Sequence, residues 1–136
     1  MPTTTNAMTN YLESRALSHF LRNTASTQPA TVYLALFSIA PTDAGGGTEL
    51  TATGYARQAA TFGAPSGTSP TVTANTNLIT FGGAGNTAGF PAVVACAIFD
   101  ALTVGNMFFW GTTTSTTAGI GESITVAIGA LTVSLN

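Results

Sequence analysis

The sequence contains very little charge. Charged residues make up 6% of the 136 positions, lysine is absent, and three arginines stand against five carboxylates. Ordinary soluble domains are about a quarter charged. Three arginines cannot form the clustered basic face that nucleic-acid binding requires, so no nucleic-acid partner is expected. A small chain with so few charges is not expected to stay soluble as a single copy, and its surface is therefore predicted to be covered by copies of itself or by a partner.

Other scarce features exclude further classes of protein. The single cysteine, Cys96, excludes an internal disulfide framework, and with His19 as the one histidine no ordinary zinc site can form. The first residues have neither the basic start nor the apolar run of a signal peptide. The longest nearly continuous apolar run, residues 88–99, is too short to cross a bilayer as a helix. The sequence therefore predicts no membrane partner and synthesis in the cytoplasm.

No group of residues has the pattern of a catalytic site. His19 follows Ser18 on a predicted helix, where adjacent side chains point apart. The glycine-rich stretch 82–89 matches no nucleotide-binding pattern, and a chain without lysine has no Walker-type loop. Asp43 and Glu49 flank three glycines and carry oxygen ligands for Ca²⁺, but two carboxylates without the EF-hand pattern are weak support. We therefore expect a protein that is not an enzyme and has no catalytic residues, cofactor or metal.

The N-terminal part is predicted to be an extended polar arm over residues 1–8, followed by a helix over residues 9–23. Asn10 and Glu13 have the spacing of a capping box, and Asn23 can end the helix in a left-handed conformation. A stripe of apolar residues at helical spacing is expected to pack on the domain; its members are Leu12, Ala16, Leu17, Phe20 and Leu21.

Two arginines lie on the other side of this predicted helix. Arg15 and Arg22 are interpreted in two ways. Either they belong to a solvated basic face, or they dock on an acidic patch of a neighbouring subunit.

Residues 24–136 are predicted to form a β body. Short stretches rich in β-forming residues alternate with glycine and proline turns, which indicates a single mainly β domain, a β-sandwich or jelly-roll-like fold, with one N-terminal α-helix. Gly105-Asn106 predicts a hairpin turn, and Gly129 is either a bulge in one long strand or a hairpin turn. The stretches predicted as strands are 31–38, 55–62, 71–81, 92–99, 107–110 and 123–135.

The motif Gly54-Tyr55-Ala56-Arg57-Gln58 contains the one positive charge after residue 22. A partly buried guanidinium needs partners for its five donors. We predict that Tyr55 packs and that Arg57 holds Glu49 or another carboxylate, across the glycine loop of residues 42–53 or across a subunit boundary. The alternative is a solvated arginine at the edge of a strand.

Phe109 and Trp110 belong to the run Met107-Phe108-Phe109-Trp110. Such a run either packs in a core and an interface or forms an aromatic sugar-binding face.

Several motifs, taken in order, resemble a family of small virion proteins of tailed bacteriophages. They are Asn10-Tyr11-Leu12-Glu13, Val32-Tyr33-Leu34-Ala35-Leu36-Phe37, Gly47-Thr48-Glu49-Leu50, Gly54-Tyr55-Ala56-Arg57-Gln58, Ala97-Ile98-Phe99-Asp100-Ala101, Gly105-Asn106 and Gly121-Glu122-Ser123-Ile124. Members of that family are commonly labelled tail-fibre proteins, and similar small β-domains serve as capsid decoration (cement) proteins. The resemblance implies a structural virion component and supplies no catalytic residue.

Within this resemblance, short strands favour a compact unit over a long fibre. The expected function is therefore that of a capsid decoration protein, a homotrimer that binds the major capsid protein or other virion proteins and stabilises the head. The alternative is a tail-fibre or tail-tip component that attaches to a host-surface glycan. In both cases the protein is made in the host cytoplasm and located in the virion, with the capsid surface favoured.

Overall fold

A computed structural model describes residues 3–5 and 7–136 of the chain, and the fold is mainly β with one helix near the N-terminus. The predicted fold class is confirmed at this level. The helix α1 spans Asn10–Leu21, and a short 3-10 helix spans Gly83–Gly85. The strands are β1 (Thr3–Thr5), β2 (Ala7–Met8), β3 (Val32–Ile39), β4 (Thr48–Glu49), β5 (Gln58–Ala60), β6 (Thr71–Ala74), β7 (Ile79–Gly82), β8 (Phe90–Phe99), β9 (Met107–Ala118), β10 (Ser123–Val126) and β11 (Leu131–Leu135).

One large sheet contains most of the strands. Its order is β4-β3-β8-β9-β1-β11-β6, with β2 also paired to β9 and β5 also paired to β3. The pairings are antiparallel except for the parallel pair of β1 and β11. Strands β8 and β9 form a hairpin whose turn is closed by Asp100: its N–H donates to the Asn106 carbonyl at 3.1 Å, and its Oδ1 accepts the Asn106 N–H at 2.7 Å. The hairpin predicted from Gly105-Asn106 is confirmed.

The main core lies between the large sheet and a second sheet made of β7 and β10. It contains Leu34 and Leu36 from β3, Phe81 from β7 and Val126 from β10, all fully buried. Burial of each such side chain contributes about 1.5–3 kcal/mol to folding. Ala35 and Phe37, which alternate with Leu34 and Leu36 along β3, belong to a smaller cluster. Strand β3 is thus buried on both faces, as its unbroken apolar sequence predicted.

The predicted N-terminal arm is extended where the structure describes it. Strand β1 pairs with β11 and β9, and β2 pairs with β9, so both strands belong to the chain's own sheet. The described part of the arm therefore lies along this chain instead of reaching toward a neighbour. Residues 1, 2 and 6 of the predicted arm lie outside the described residues.

The cap of α1 is Thr9, one residue before the predicted Asn10. Thr9 has extended backbone angles, and its Oγ1 accepts the Leu12 N–H at 3.4 Å and donates to the Met107 carbonyl at 2.5 Å. The same side chain therefore caps the helix and ties its start to β9. At the other end Asn23 has φ 54°, the left-handed conformation that was predicted.

The stretch 71–81, predicted as one strand, is divided between the two sheets at Asn75. This side chain is 1% exposed. Its Oδ1 accepts the Leu131 N–H at 2.9 Å, and its Nδ2 donates to the carbonyls of Asn77 and Ala127. The amide thus replaces the backbone pairing where the chain leaves the large sheet.

Two further predicted strands differ in the structure. The stretch 55–62 contains only the short strand β5, because residues 54–57 form a turn and a loop. Gly129 (φ 79°) lies in a turn between β10 and β11, which belong to different sheets. It is therefore neither a bulge in one strand nor a hairpin turn. Periodicity indicates that both flanking segments are strands, but it carries no information on which sheet each one joins.

Gly54 lies where the loop before β5 touches the short 3-10 helix. Its φ is +85°, and a Cβ at this position would collide with the carbonyl of Gly85. Only glycine combines this backbone conformation with so close an approach. The start of the Gly54–Gln58 motif therefore depends on contact with a second glycine loop.

We expect Gly54→Ala to lower the free energy of unfolding by about 2–4 kcal/mol, because left-handed strain adds to a backbone collision. Thermal and denaturant unfolding would measure the change. The matched control is Gly46→Ala, which has φ +79° but nothing within 4 Å of the added Cβ. It should cost only the conformational strain, about 1 kcal/mol. Equal losses for the two variants would contradict the importance of the Gly54–Gly85 contact.

Candidate functional site

The candidate site is built on residues 40–47, which connect β3 to β4. This segment includes the first part of the predicted glycine loop, and the name glycine loop is used for it from here on. Thr42 and Gly45 exchange backbone hydrogen bonds of 2.9 Å and close the tip of the loop. Asp43 fastens it from outside: its carbonyl accepts the Asn10 N–H at 3.0 Å, and its Oδ1 accepts Trp110 Nε1–H at 2.8 Å. The loop is therefore held against both the start of α1 and strand β9.

Glu49, at the end of β4, forms a two-pronged ion pair with Arg57. Arg57 Nε donates to Glu49 Oε1 at 2.9 Å, and Arg57 Nη2 donates to Glu49 Oε2 at 2.8 Å. The Arg57 side chain is 8% exposed and the Glu49 side chain is 26% exposed. A bidentate pair sheltered in this way is stronger and more directional than an ordinary surface salt bridge.

The Nη1 group of the guanidinium binds the β8–β9 hairpin. Arg57 Nη1 donates to the carbonyls of Ala101 and Val104, at 2.9 and 2.7 Å. Its central carbon lies 3.6 Å from the ring centroid of Phe99, a close cation–π contact. Four of its five donors thus have partners, and Arg57 joins β4 to the hairpin turn.

Tyr55 completes this group, which we call the Arg57 cluster (Glu49, Tyr55, Arg57). Its hydroxyl donates to Glu49 Oε1 at 2.9 Å and accepts the Leu36 N–H at 3.0 Å. Its ring stacks on Phe81 of the main core, with centroids 6.0 Å apart. Burial raises the pKa of the Tyr55 hydroxyl well above its usual range, an effect that the Leu36 N–H opposes and the Glu49 carboxylate reinforces. The hydroxyl therefore keeps its proton and remains a donor to Glu49 at neutral pH.

The structure brings three of the sequence-predicted site residues together in this cluster. Sequence reasoning did not find the partners on the far side of Arg57, the carbonyls of residues 101 and 104. A backbone carbonyl has no sequence signature of its own. The one available signal was Gly105-Asn106, which predicts a turn. Backbone carbonyls in the residues just before such a turn can point away from the strands.

We expect Arg57→Met to lower the free energy of unfolding by about 2–3 kcal/mol, because it leaves a largely sheltered carboxylate without its partner. Chemical unfolding followed by circular dichroism measures the change. Arg22→Met removes an exposed arginine and should stay within about 0.5 kcal/mol of the parent. Indistinguishable stabilities for the two variants would show that the cluster does not hold the fold.

A cleft of about 550 Å³ lies beside the Arg57 cluster. The glycine loop forms one wall and the start of α1 forms another, and Glu49 and the β8–β9 hairpin close the remainder. The side chains that line it are Thr9, Asn10, Tyr11, Phe37, Asp43, Glu49, Phe99, Asn106 and Met107. Aromatic rings, carboxylates and amides occur together in this cleft.

The two arginines of α1 have different environments. Arg15 donates to the Tyr11 hydroxyl at 2.6 Å, to Ser26 Oγ and to the Thr27 carbonyl, so it holds the segment after the helix against the helix itself. Arg22, the C-terminal cap, is exposed. Docking of both arginines on a neighbour stays a prediction, and Arg15 already has partners within this chain.

The apolar stripe of α1 is packed on the domain only in part, since Leu12 and Ala16 are half-buried and the other three members are exposed. Leu17, Phe20 and Leu21 are 59%, 80% and 77% exposed, and α1 contains no buried residue. The helix contacts the sheet through its first turn, where Tyr11 stacks on Phe108 with centroids 6.1 Å apart. Its second half therefore presents an apolar surface, which we call the α1 face (Leu17, Phe20, Leu21).

Phe109 and Trp110 do not form one aromatic surface. Phe109 packs against the main core, whereas Trp110 packs against the smaller cluster around Phe37. Successive residues of a strand point to opposite faces, which separates the two rings. The aromatic rings that line the cleft are instead those of Tyr11, Phe37 and Phe99.

The described residues contain no cluster of three His, Cys, Asp or Glu side chains that could hold a metal ion. His19 Nδ1 lies 3.2 Å from the Thr24 carbonyl on the exposed side of α1, and Cys96 is fully buried in β8. No helix in residues 3–5 and 7–136 is long and apolar enough to cross a membrane. No nucleophile–base pair is found among the polar side chains that line the cleft.

A mainly β chain with a structural ion pair at its centre and an uncovered apolar helix has the features of a structural protein that works in an assembly. Comparison with protein families specifies the class. Residues 7–134 match the sequence profile of the family described as Podophage GP4 fiber I protein gp80. The chain belongs to this family of phage fibre proteins and is therefore a structural protein of a tailed-phage virion. No curated protein matches the chain.

Proposed function

We propose that the protein is a non-enzymatic component of a phage tail fibre or tail tip that takes part in attachment to the host surface. The observation that carries this proposal is the match of residues 7–134 to a fibre family. The match favours the tail alternative over the capsid decoration protein that strand length alone suggested. The cleft beside the Arg57 cluster supplies a surface on which such an attachment protein could bind a receptor.

The length of the strands limits what part of a fibre this β domain can form. The longest strand, β9, has 12 residues, which corresponds to roughly 40 Å at about 3.3 Å per residue. A shaft needs many copies of so compact a unit. We therefore infer a single-domain module that forms the base or the tip of a fibre, or repeats along it, in contact with other virion proteins.

The location of the protein on the particle tests this proposal. We expect immunogold labelling of intact virions, with an antibody against the purified chain, to mark the fibres or the tail. Labelling distributed over the whole head would contradict the tail location and favour capsid decoration. Quantitative mass spectrometry of the virions separates the same two functions, because a decoration protein occurs in copy numbers close to that of the capsid protein.

The decoration function is the second candidate, and the α1 face is compatible with it. A compact domain with an uncovered α1 face is suited to lie across the joint between two capsid subunits and to bury apolar area there. Its partner would then be the major capsid protein. The α1 face alone does not distinguish this partner from a fibre protein, whereas labelling of the virion does.

For both the tail function and the decoration function, we propose that the chain forms a homotrimer. The support is the α1 face together with a surface that is poor in charge. Apolar patches of this kind commonly mark protein contacts. Because Leu17, Phe20 and Leu21 are mostly exposed, a neighbour can cover them without disturbing the fold.

We expect the purified chain to be oligomeric, and the double substitution Phe20→Ser and Leu21→Ser to shift it toward monomer by at least tenfold in dissociation constant. Light scattering after size exclusion, over a range of concentrations, measures the shift. Leu78→Ser is the control, since Leu78 is 60% exposed but adjoins β7 in the second sheet. A variant that assembles like the parent would rule out the α1 face as the contact.

A further inference from the structure

The cleft between the glycine loop and α1 has the dimensions of a small-ligand site. Its volume is about 550 Å³, within the range of roughly 300–1,000 Å³ that such sites occupy. Its walls are preformed: Asp43 is fastened to Asn10 and Trp110, and Glu49 is fastened to Arg57. Little ordering would be needed on binding, which favours affinity.

Two kinds of surface line the cleft. The rings of Tyr11 and Phe99 line part of the cleft, whereas Phe37, which stacks on Phe99 with centroids 6.3 Å apart, is 3% exposed. The guanidinium of Arg57 covers one face of the Phe99 ring, which leaves Tyr11 as the ring considered for a ligand. The carboxylate of Asp43 and the side-chain amide of Asn106 offer acceptors and donors. A sugar ring has the matching pair of surfaces, because its C–H bonds present an apolar face and its hydroxyls form a polar rim.

Asp43 is held in a defined orientation. Trp110 Nε1–H binds its Oδ1, while its backbone carbonyl binds the start of α1. The lone pairs of Oδ2 can accept hydrogen bonds from hydroxyl groups of a ligand in the cleft. Trp110 is not itself among the residues that line the cleft, so it acts as a positioning residue.

The charge in the cleft selects among sugars. No arginine or histidine is among the lining residues. Four of the five donors of nearby Arg57 are engaged by Glu49, Ala101 and Val104, and this ion pair cancels the charge of Glu49. The charge of Asp43 remains. An acidic sugar would bring its carboxylate toward this negative charge without a cation to receive it, which disfavours binding.

We propose that this cleft binds a neutral hexose or N-acetylhexosamine unit of a host-surface glycan, through Asp43 and the ring of Tyr11, and that it excludes acidic sugars. The proposal deepens the attachment function and rests on it. The proposed sugar site therefore lies at the glycine loop and the start of α1, and not at Phe109 and Trp110, where the sequence suggested an aromatic sugar-binding face.

Saturation-transfer NMR on the intact chain tests the proposal, with glucose, galactose, N-acetylglucosamine and glucuronic acid as probes. We expect at least one neutral sugar to bind with a millimolar dissociation constant and glucuronic acid to bind at least tenfold more weakly. Absence of binding by every neutral sugar at millimolar concentration, or a preference for glucuronic acid, would overturn the proposal.

Asp43→Asn should weaken binding of the neutral sugar about tenfold, because a charge-assisted hydrogen bond becomes a neutral one. Glu122→Gln is the matched control. It removes one negative charge from a carboxylate that accepts the Gly119 N–H at 2.7 Å, in a turn that does not line the cleft. Both variants should melt near the parent temperature. Equal sugar affinity for the parent and Asp43→Asn, or an equal loss in the two variants, would overturn the site.

The two proposals fail in different ways. Labelling on the fibre together with no sugar binding would leave the attachment function in place and remove the site. Labelling over the head together with sugar binding that depends on Asp43 would remove the tail location and leave the site.

Discussion

The guanidinium of Arg57 is the group through which the separate parts of the structure are joined. It binds Glu49 at the end of β4, the carbonyls of the β8–β9 hairpin turn and the ring of Phe99. A sheltered positive charge is costly unless it is paired and its donors are satisfied. This requirement fixes the hairpin turn relative to the glycine loop, and these two segments form walls of the cleft. The shape of the cleft therefore depends on one ion pair, of which Glu49 is itself a lining residue.

Elsewhere, buried amides make the connections that charged residues make in other proteins. Asn75 binds three backbone groups where the chain passes between sheets. Asn86, 0% exposed, donates to the carbonyls of Gly119 and Glu122 and accepts the Gly89 N–H. A neutral amide satisfies backbone groups in the interior at a lower desolvation cost than an ion. A chain with 6% charged residues can in this way hold irregular loops in place and still offer neighbours an uncharged surface.

Family membership, the α1 face and the cleft describe a virion protein with two separate surfaces. The first turn of α1 belongs to the cleft, through Asn10 and Tyr11, whereas the second half of the helix is apolar and uncovered. A neighbouring protein on Leu17, Phe20 and Leu21 would leave the entrance at the glycine loop open. The proposed binding surface and the proposed assembly surface thus occupy different parts of one helix.

The sequence by itself determined the mainly β class, the N-terminal helix, the left-handed conformation of Asn23 after it and the Gly105-Asn106 hairpin, and it marked Arg57 as the one positive charge after residue 22. Each of these depends on local information: periodicity, a turn preference, or a single charge in an apolar chain. Only the tertiary structure decided where the chain passes from one sheet to the other, as it does at Asn75 and near Gly129. Periodicity indicates that a strand is buried, but it does not indicate which sheet the strand joins. The partners of Arg57 at residues 101 and 104 are backbone carbonyls, which every residue has. The exposure of Phe20 could not be predicted either, since an apolar stripe has the same sequence whether its own domain or a neighbour covers it.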